Sequence, residues 1–328
     1  MTLVIGDEQV RASAEMARLI DAVEDVLLEE HEGHVIVPPR LNLMSGDRFL
    51  RLMPAYLRRS GYLGYKSFHG SMAEGVRYVI VLIREADGEV VALVDAAYLT
   101  ALRTGATSGV AARHLARGDA AAVGLLGSGL EAETNLAAVA AVRPVSSVRV
   151  YSRNSDRRQA FARAWSDKLG IEVRPVDSAK AAVADSDIVI VATNTGMNGP
   201  VAYEGAWLEP GQLVISIGAT SPFLREVDAE TFDRADEVVF DASPEQVLEE
   251  SGDLLAVGEE TKRRLRGARV LPDVVASGSG HRPPGTTTLF KSVGTAAQDI
   301  AAARAIYEVV VARGLARDIG EIAEPKRF

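Results

Sequence analysis

Apolar residues recur at helical spacing from Ala14 to Glu30, where Met16, Leu19, Ile20, Val23, Val26 and Leu27 fall on one face. This predicts an amphipathic helix within an otherwise polar stretch, residues 1–60. Residues 62–98 change period. Tyr62–Phe68, Val76–Arg84 and Val90–Val94 carry β-formers, and Ala86-Asp87-Gly88 predicts a hairpin turn between the last two. Thr100–Arg117 is Ala-rich and predicts a helix, broken at Gly118-Asp119.

From Ala121 onward, short apolar runs alternate with helical ones. Strands are predicted at Ala122–Leu126, Val148–Tyr151, Ile171–Val176, Asp187–Ala192, Leu213–Ile217 and Glu237–Phe240, with Val274-Val275 as a further candidate. A helix is expected after the Gly-rich turn that follows Leu126, another over Asp156–Lys168, and a short one before Asp187. Such alternation indicates βα units and a parallel sheet, assigned to residues 118–295. Thr295–Arg313 reads as a final Ala-rich helix.

The length of 328 residues suggests roughly two domains, and 47% apolar residues suffice for their interiors. No apolar run approaches the ~20 residues that span a bilayer. The N-terminus, with Asp7, Glu8 and Glu15, does not read as a signal peptide. The absence of cysteine excludes disulfides, zinc thiolate sites and thiol nucleophiles, and fits a cytoplasmic protein. A net charge of −9 and 5% aromatic residues argue against nucleic acid as a partner.

The sharpest motif is Gly127-Ser128-Gly129-Leu130-Glu131-Ala132, a G-x-G-x-x-A turn directly after one predicted strand and before a helix. Gly127 allows the tight turn, Gly129 lets the backbone approach a pyrophosphate, and Ala132 permits close helix–strand packing. The helix N-terminus adds unpaired N–H groups and a positive dipole end. An NAD site wants an acid at the end of the second strand. Here the chain reads Tyr151-Ser152-Arg153-Asn154, so Ser152, Arg153 and Asn154 favour the extra phosphate of NADP(H) over NAD(H). Alternatively, Arg153 is an ordinary surface arginine and Asp156 takes the ribose. Ala192, Thr193 and Asn194 end a strand of the same sheet, either facing the cofactor or simply capping a helix.

Arg40, Lys66 and Arg103 are candidate clamps for a carboxylate, although each taken singly reads as a solvated charge. His31 and His34, beside Glu29 and Glu30, could hold a metal but read as surface residues, so no metal site is expected. His69 and His281 could face a ligand, and Asp299 could order Lys66 or Arg103 or else face solvent. Met53, Tyr56, Tyr65, Phe68 and Phe223 could line a pocket or pack a core.

Asp95–Thr107 (DAAYLTALRTGAT), the Gly127-Ser128-Gly129 turn, Gly211–Ala219, Arg225-Glu226 and Phe290–Asp299 occur in an order that resembles the ornithine cyclodeaminase/mu-crystallin family. The likeness runs from about Pro38 to the last helix. It implies an α/β chain in which a Rossmann-type, doubly wound parallel sheet (118–295) is inserted into an α+β substrate and dimerisation domain (1–117 with 296–328), and a homodimer. It also implies that Arg40, Lys66 and Arg103 hold the substrate carboxylate. Lys66 would in addition relay a proton, and Thr104 and Phe290-Lys291-Ser292 would lie near the nicotinamide. Cyclodeaminases of this family carry an Asp directly after the pair matching Gly218-Ala219, where this chain has Thr220. A hydroxyl is no base near neutral pH. The expectation is therefore an NADP(H)-dependent oxidoreductase on the C–N bond of a small imino or amino acid, akin to the ketimine reductase branch. A cyclodeaminase with retained cofactor and a non-catalytic NADPH-dependent ligand-binding protein are the alternatives.

Overall fold

The computed structural model describes residues 1–71, 73–197, 199–278, 283 and 285–326. The chain divides into two units, Met1–Arg103 with Thr295–Phe328, and Thr104–Gly294. The first unit opens with β1 (Leu3–Ile5), α1 (Asp7–Ser13) and α2 (Met16–His31), whose apolar stripe is buried as its spacing requires. Then come β2 (Val35–Ile36), β3 (Leu41–Ser45), β4 (Arg48–Leu57), β5 (Tyr62–Ser71), β6 (Gly75–Arg84), β7 (Val90–Asp95) and the start of α3 (Ala97–Leu115), which from Thr104 belongs to the second unit. The antiparallel run β4-β5-β6-β7 forms the body of the sheet. β1, β2, β3 and β4 fall in the stretch read as helix and polar loops. Arg48, Arg51 and Pro54 break the apolar alternation of β4, yet Pro54 is tolerated for a simple reason. β3 pairs only with residues 48–52 and β2 only with 56–57, so the missing N–H faces the gap between them.

In the second unit, β8 (Ala122–Leu126), α4 (Leu130–Val142), β9 (Ser147–Tyr151), α5 (Ser155–Leu169), β10 (Glu172–Pro175), α6 (Ala179–Val183), β11 (Ile188–Val191) and β12 (Leu213–Ser216) follow the predicted alternation. They continue into α7 (Ala229–Arg234), β13 (Glu237–Phe240), α8 (Pro244–Glu250), α9 (Glu259–Leu265), β14 (Arg269–Val270), α10 (Leu271–Ala276) and β15 (Thr288–Lys291). All strand pairs are parallel, in the order β10-β9-β8-β11-β12-β15-β13-β14. The sheet therefore reverses direction between β8 and β11, the topological switch point of a doubly wound fold. Val274-Val275 are not a strand; Pro272 starts a helix there, and β15 takes the place between β12 and β13 instead. Strands β11 and β12 are buried along their whole length, as the faces of a parallel sheet covered by helices must be.

The chain then returns to the first unit through α11 (Ala296–Arg313) and β16 (Arg317–Asp318), which pairs with β1. Thr295 caps α11, its hydroxyl accepting from the Gln298 N–H while the Gln298 side chain accepts from the Thr295 N–H. The helix lies on β4, β5 and β6 and beside α2. Among the described residues, no helix is long and apolar enough to cross a membrane.

Candidate functional site

The first unit gathers three of its ionisable residues in its interior. Lys66 lies mid-β5, opposite Met53 of β4 and Ile80 of β6, and is only 2% exposed. An ammonium taken from water needs a charged partner, and Asp299 supplies it from the first turn of α11, 2.7 Å from Nζ. The other oxygen of Asp299 accepts from Arg103 Nε at 2.8 Å. Arg40, half-buried in the loop before β3, adds its positive field at Lys66. Burial pushes the Lys66 ammonium down to about 8, opposed by Asp299 and reinforced by Arg103 and Arg40. Burial raises the Asp299 carboxyl, but Lys66 and Arg103 outweigh it and hold the group below the ordinary carboxylate range. One buried carboxylate thus serves more than one cation. The solvated-charge reading fails for Lys66 and Arg103, and the solvent-facing reading fails for Asp299, which is fully buried.

Alternation along the strands decides what stands beside this cluster. Phe68 shares the Lys66 face, its ring 5.8 Å from Lys66 Nζ and stacked on Tyr78 at 5.3 Å. Arg51, opposite Phe68 in register, lies over the same ring at 5.1 Å. Met53 is on this face too, whereas Tyr56, Tyr65 and His69, at odd offsets in register, point to the other side of the sheet. His69 is thereby removed from the ligand-facing candidates. Phe223 is exposed in a loop of the second unit, and His281 lies outside the described residues. No group of three or more His, Cys, Asp or Glu able to hold a metal occurs among the described residues.

In the second unit the Gly-rich turn has the form that its motif implies. Gly127 adopts φ +120°, and a Cβ there would meet the Ala192 carbonyl oxygen at 2.1 Å. Any other residue would be strained and would collide with the next strand end. A Cβ on Gly129 meets nothing within 4 Å, so the backbone there is open to a ligand. Gly129 precedes α4 without any side-chain cap, and Leu130 is exposed at the helix start, so the N–H groups of this first turn are available to an anion. Ala132 is fully buried against the strand. These features fit a dinucleotide pyrophosphate.

Beyond β9, Ser128 Oγ donates to Ser152 Oγ at 2.8 Å, joining the two turns. Asn154 caps α5 through its Oδ1, which accepts from the Arg157 N–H at 2.9 Å. Arg153 is exposed, its guanidinium reaching the Asn194 carbonyl at 2.9 Å and spanning the ends of β9 and β11. Asp156 is exposed in the first turn of α5. Thr193 gives its N–H and hydroxyl to Glu226, at 2.6 and 2.9 Å. Ser292 donates to Asp241 at 2.6 Å, which also accepts the N–H groups of Val293 and Gly294. Thr104 is buried on α3, the residue after Arg103.

The motif reading gave no role to Arg158, Asp241, Asp253 and Glu226. Arg158 is buried over the Tyr151 ring and donates to the Ser152 carbonyl at 2.9 Å, fixing the turn that carries Arg153. A faint signal exists for Asp241, an acid directly after the apolar strand Glu237–Phe240. Arg158 acts on residues only six and seven positions before it, whereas Glu226 and Asp253 act on segments distant in sequence, which spacing cannot reveal.

Known proteins resemble this chain in sequence and fold. The model of the ornithine cyclodeaminase/mu-crystallin family matches residues 2–314. A Delta(1)-pyrroline-2-carboxylate reductase of Bacillus cereus is 34% identical over 327 residues, 97% of this chain and 99% of that protein. The Thermococcus litoralis Delta(1)-pyrroline-2-carboxylate reductase, solved in complex with NADH and L-proline, superposes with a TM-score of 0.89 at 33% identity, covering 97% of this chain and 100% of that one. An archaeal alanine dehydrogenase dimer with bound NAD superposes with a TM-score of 0.86 at 28% identity, covering 97% of this chain and 99% of that one.

Proposed function

The chain belongs to the ornithine cyclodeaminase/mu-crystallin family, and we propose that this oxidoreductase uses NADP(H) to reduce the C=N bond of a small ketimine carboxylate to the amino acid. The observation that carries the reading is the convergence of two buried cations, Lys66 and Arg103, on the single carboxylate of Asp299, with the field of Arg40 reaching Lys66. Convergent cations of this kind suit a carboxylate ligand.

The substrate carboxylate docks on Arg40, Lys66 and Arg103, Arg103 and Arg40 offering planar guanidinium faces. Docking fixes the imine, and orientation alone contributes several kcal/mol toward the barrier. When bound, the nicotinamide supplies hydride to the imine carbon. Lys66, brought down to about 8, is close enough to neutrality to give up a proton to the imine nitrogen and recover it from water. Asp299 holds Lys66 in place and keeps it protonated at neutral pH.

For the cofactor, Gly127, Ser128, Gly129 and Leu130 cradle the pyrophosphate, and Ala192, Thr193 and Asn194 line the crevice beyond β11. Thr104 and Ser292 lie toward the nicotinamide. Ser152, Arg153 and Asn154 take the 2′-phosphate. Support for NADP(H) is the lack of an acid after β9 together with the exposed Arg153 guanidinium. The relatives solved with NADH and NAD make the direct comparison of cofactors the deciding measurement. Thr220 sits where cyclodeaminases carry an acid, which favours reduction over deaminative cyclisation.

The reading extends to a cytoplasmic homodimer. Leu41, Leu43 and Met44 on β3, with Ile36 on β2, are 44–76% exposed at one sheet edge, an apolar patch suited to a second subunit.

The test is oxidation of NADPH, followed by its near-UV absorbance, with cyclic ketimine carboxylates and with α-keto acids plus amines. Turnover with one of them supports the reading. Bound but unoxidised NADPH throughout the panel overturns it.

A further inference from the structure

A second charge imbalance lies in the parallel sheet, at the carboxyl ends of β11, β12 and β15. Lys291 ends β15 with Nζ 2.8 Å from Asp253 and 3.1 Å from Ser216 Oγ. Glu226 accepts from the Thr193 N–H and hydroxyl on one oxygen, and from the Gly218 N–H and Ser216 hydroxyl on the other. Asp253 in turn accepts the Glu226 and Val227 N–H groups. None of the three ionisable groups is more than 1% exposed.

The hydrogen-bond directions favour an ionised Glu226. A backbone N–H, which can only donate, sits on each of its oxygens. Ser216 accepts from Lys291 and so donates its own hydroxyl hydrogen bond to the carboxylate. Burial and the neighbouring Asp253 charge push the Glu226 carboxyl above its ordinary value, while Lys291 and the N–H donors work against that. Two carboxylates then face one ammonium, leaving a net negative charge under the three strand ends.

In a doubly wound sheet the ligand lies beyond the carboxyl ends of the strands, with each mononucleotide half taking one end of the dinucleotide. The Gly127 turn and β9 mark the adenosine half, so β11, β12 and β15 lie under the nicotinamide half. We propose that the Glu226–Asp253–Lys291 cluster tunes the redox preference of the bound nicotinamide, stabilising the cationic oxidised ring over the neutral reduced one. The same field favours departure of hydride, which carries its electron pair to the imine carbon and leaves the positive charge on the ring. This rests on the cofactor reading above. Glu226 acts here as a positioning and field-setting residue, without touching the substrate.

The experiment is a pair of dissociation constants, for NADPH and NADP+, measured on the full chain and on its Glu226→Gln and Glu226→Asp variants. With Gln, NADP+ weakens on the order of tenfold relative to NADPH, the size of a single charge–charge interaction through protein of intermediate dielectric. With Asp, which keeps the charge, the ratio of the two constants stays at the wild-type value even where both affinities fall. Equal weakening of both cofactors in the Gln variant assigns Glu226 a purely structural role and overturns the proposal. Should that variant not fold, Asp253→Asn removes the same charge on the other side of Lys291 and is read by the same ratio. Wild-type protein that binds neither cofactor overturns the cofactor reading itself, and this proposal with it.

Discussion

Replacing Asp299 by Asn probes the substrate cluster most directly. In the wild type, kcat/KM for imine reduction declines as pH rises past about 8, where free Lys66 loses its proton. Asp299 is the group that opposes this loss, through its charge and its hydrogen bond; burial, Arg103 and Arg40 all promote it. An opposite charge this close is worth roughly one to three pKa units. The variant's alkaline limb therefore moves down by about that much, into the neutral range. Substrate ionisation is common to both proteins, so the difference between the two profiles isolates Lys66.

Stability moves in a defined direction too. Folded Lys66 titrates at about 8 against 10.5 when unperturbed, so its charged form costs stability below 8, and that cost fades as pH rises from 8 toward 10.5. In the variant this fading starts at a lower pH and still ends near 10.5, where the unfolded chain titrates. Breaking a buried pair costs roughly 3–5 kcal/mol, and Lys66 can escape part of it by deprotonating, so a loss of about 3 kcal/mol at neutral pH is expected from denaturant unfolding. An alkaline limb that coincides with the wild type, or a variant more active than wild type above pH 9, would refute the reasoning.

Other outcomes follow from single contacts. Arg153→Ala weakens NADPH about tenfold or more, the loss of a charge-assisted hydrogen bond, and leaves NADH binding unchanged; fluorescence titration of both reads this out. Gly127→Ala, forced into φ +120° with its Cβ 2.1 Å from the Ala192 oxygen, loses roughly 1–3 kcal/mol to strain and forfeits cofactor protection in thermal unfolding. Ornithine and lysine yield no ammonia with the wild-type enzyme, because Thr220 supplies no base; release comparable to imine reduction would restore the cyclodeaminase reading.

The sequence showed most plainly what short periods encode. The βα alternation over β8 to β12 and the Gly127 turn were legible because a buried parallel strand is a bare apolar run and the turn needs glycine at one φ. β4 was hidden by its arginines and by Pro54, the latter acceptable only because of where β2 and β3 stop. β15 was hidden because its slot in the sheet depends on β12 and β13, far away in the chain. Lys66 and Arg103 were found through a family likeness, since nothing in their spacing brings them to Asp299, 233 and 196 residues further along. The Glu226 network joins five segments of chain and has no local signature at all.

The two buried clusters differ in sign, and that contrast bears on the function. In the first unit two buried cations converge on Asp299, an arrangement suited to an anionic ligand such as a carboxylate. In the parallel sheet two carboxylates face Lys291, a field suited to a cation. A reaction that joins a carboxylate-bearing imine to a cofactor whose ring becomes positive as hydride leaves meets both requirements. A protein that merely held a carboxylate ligand beside the reduced cofactor would need only the first, and this is why the NADPH-to-NADP+ affinity ratio, more than turnover alone, separates an enzyme from a binding protein here.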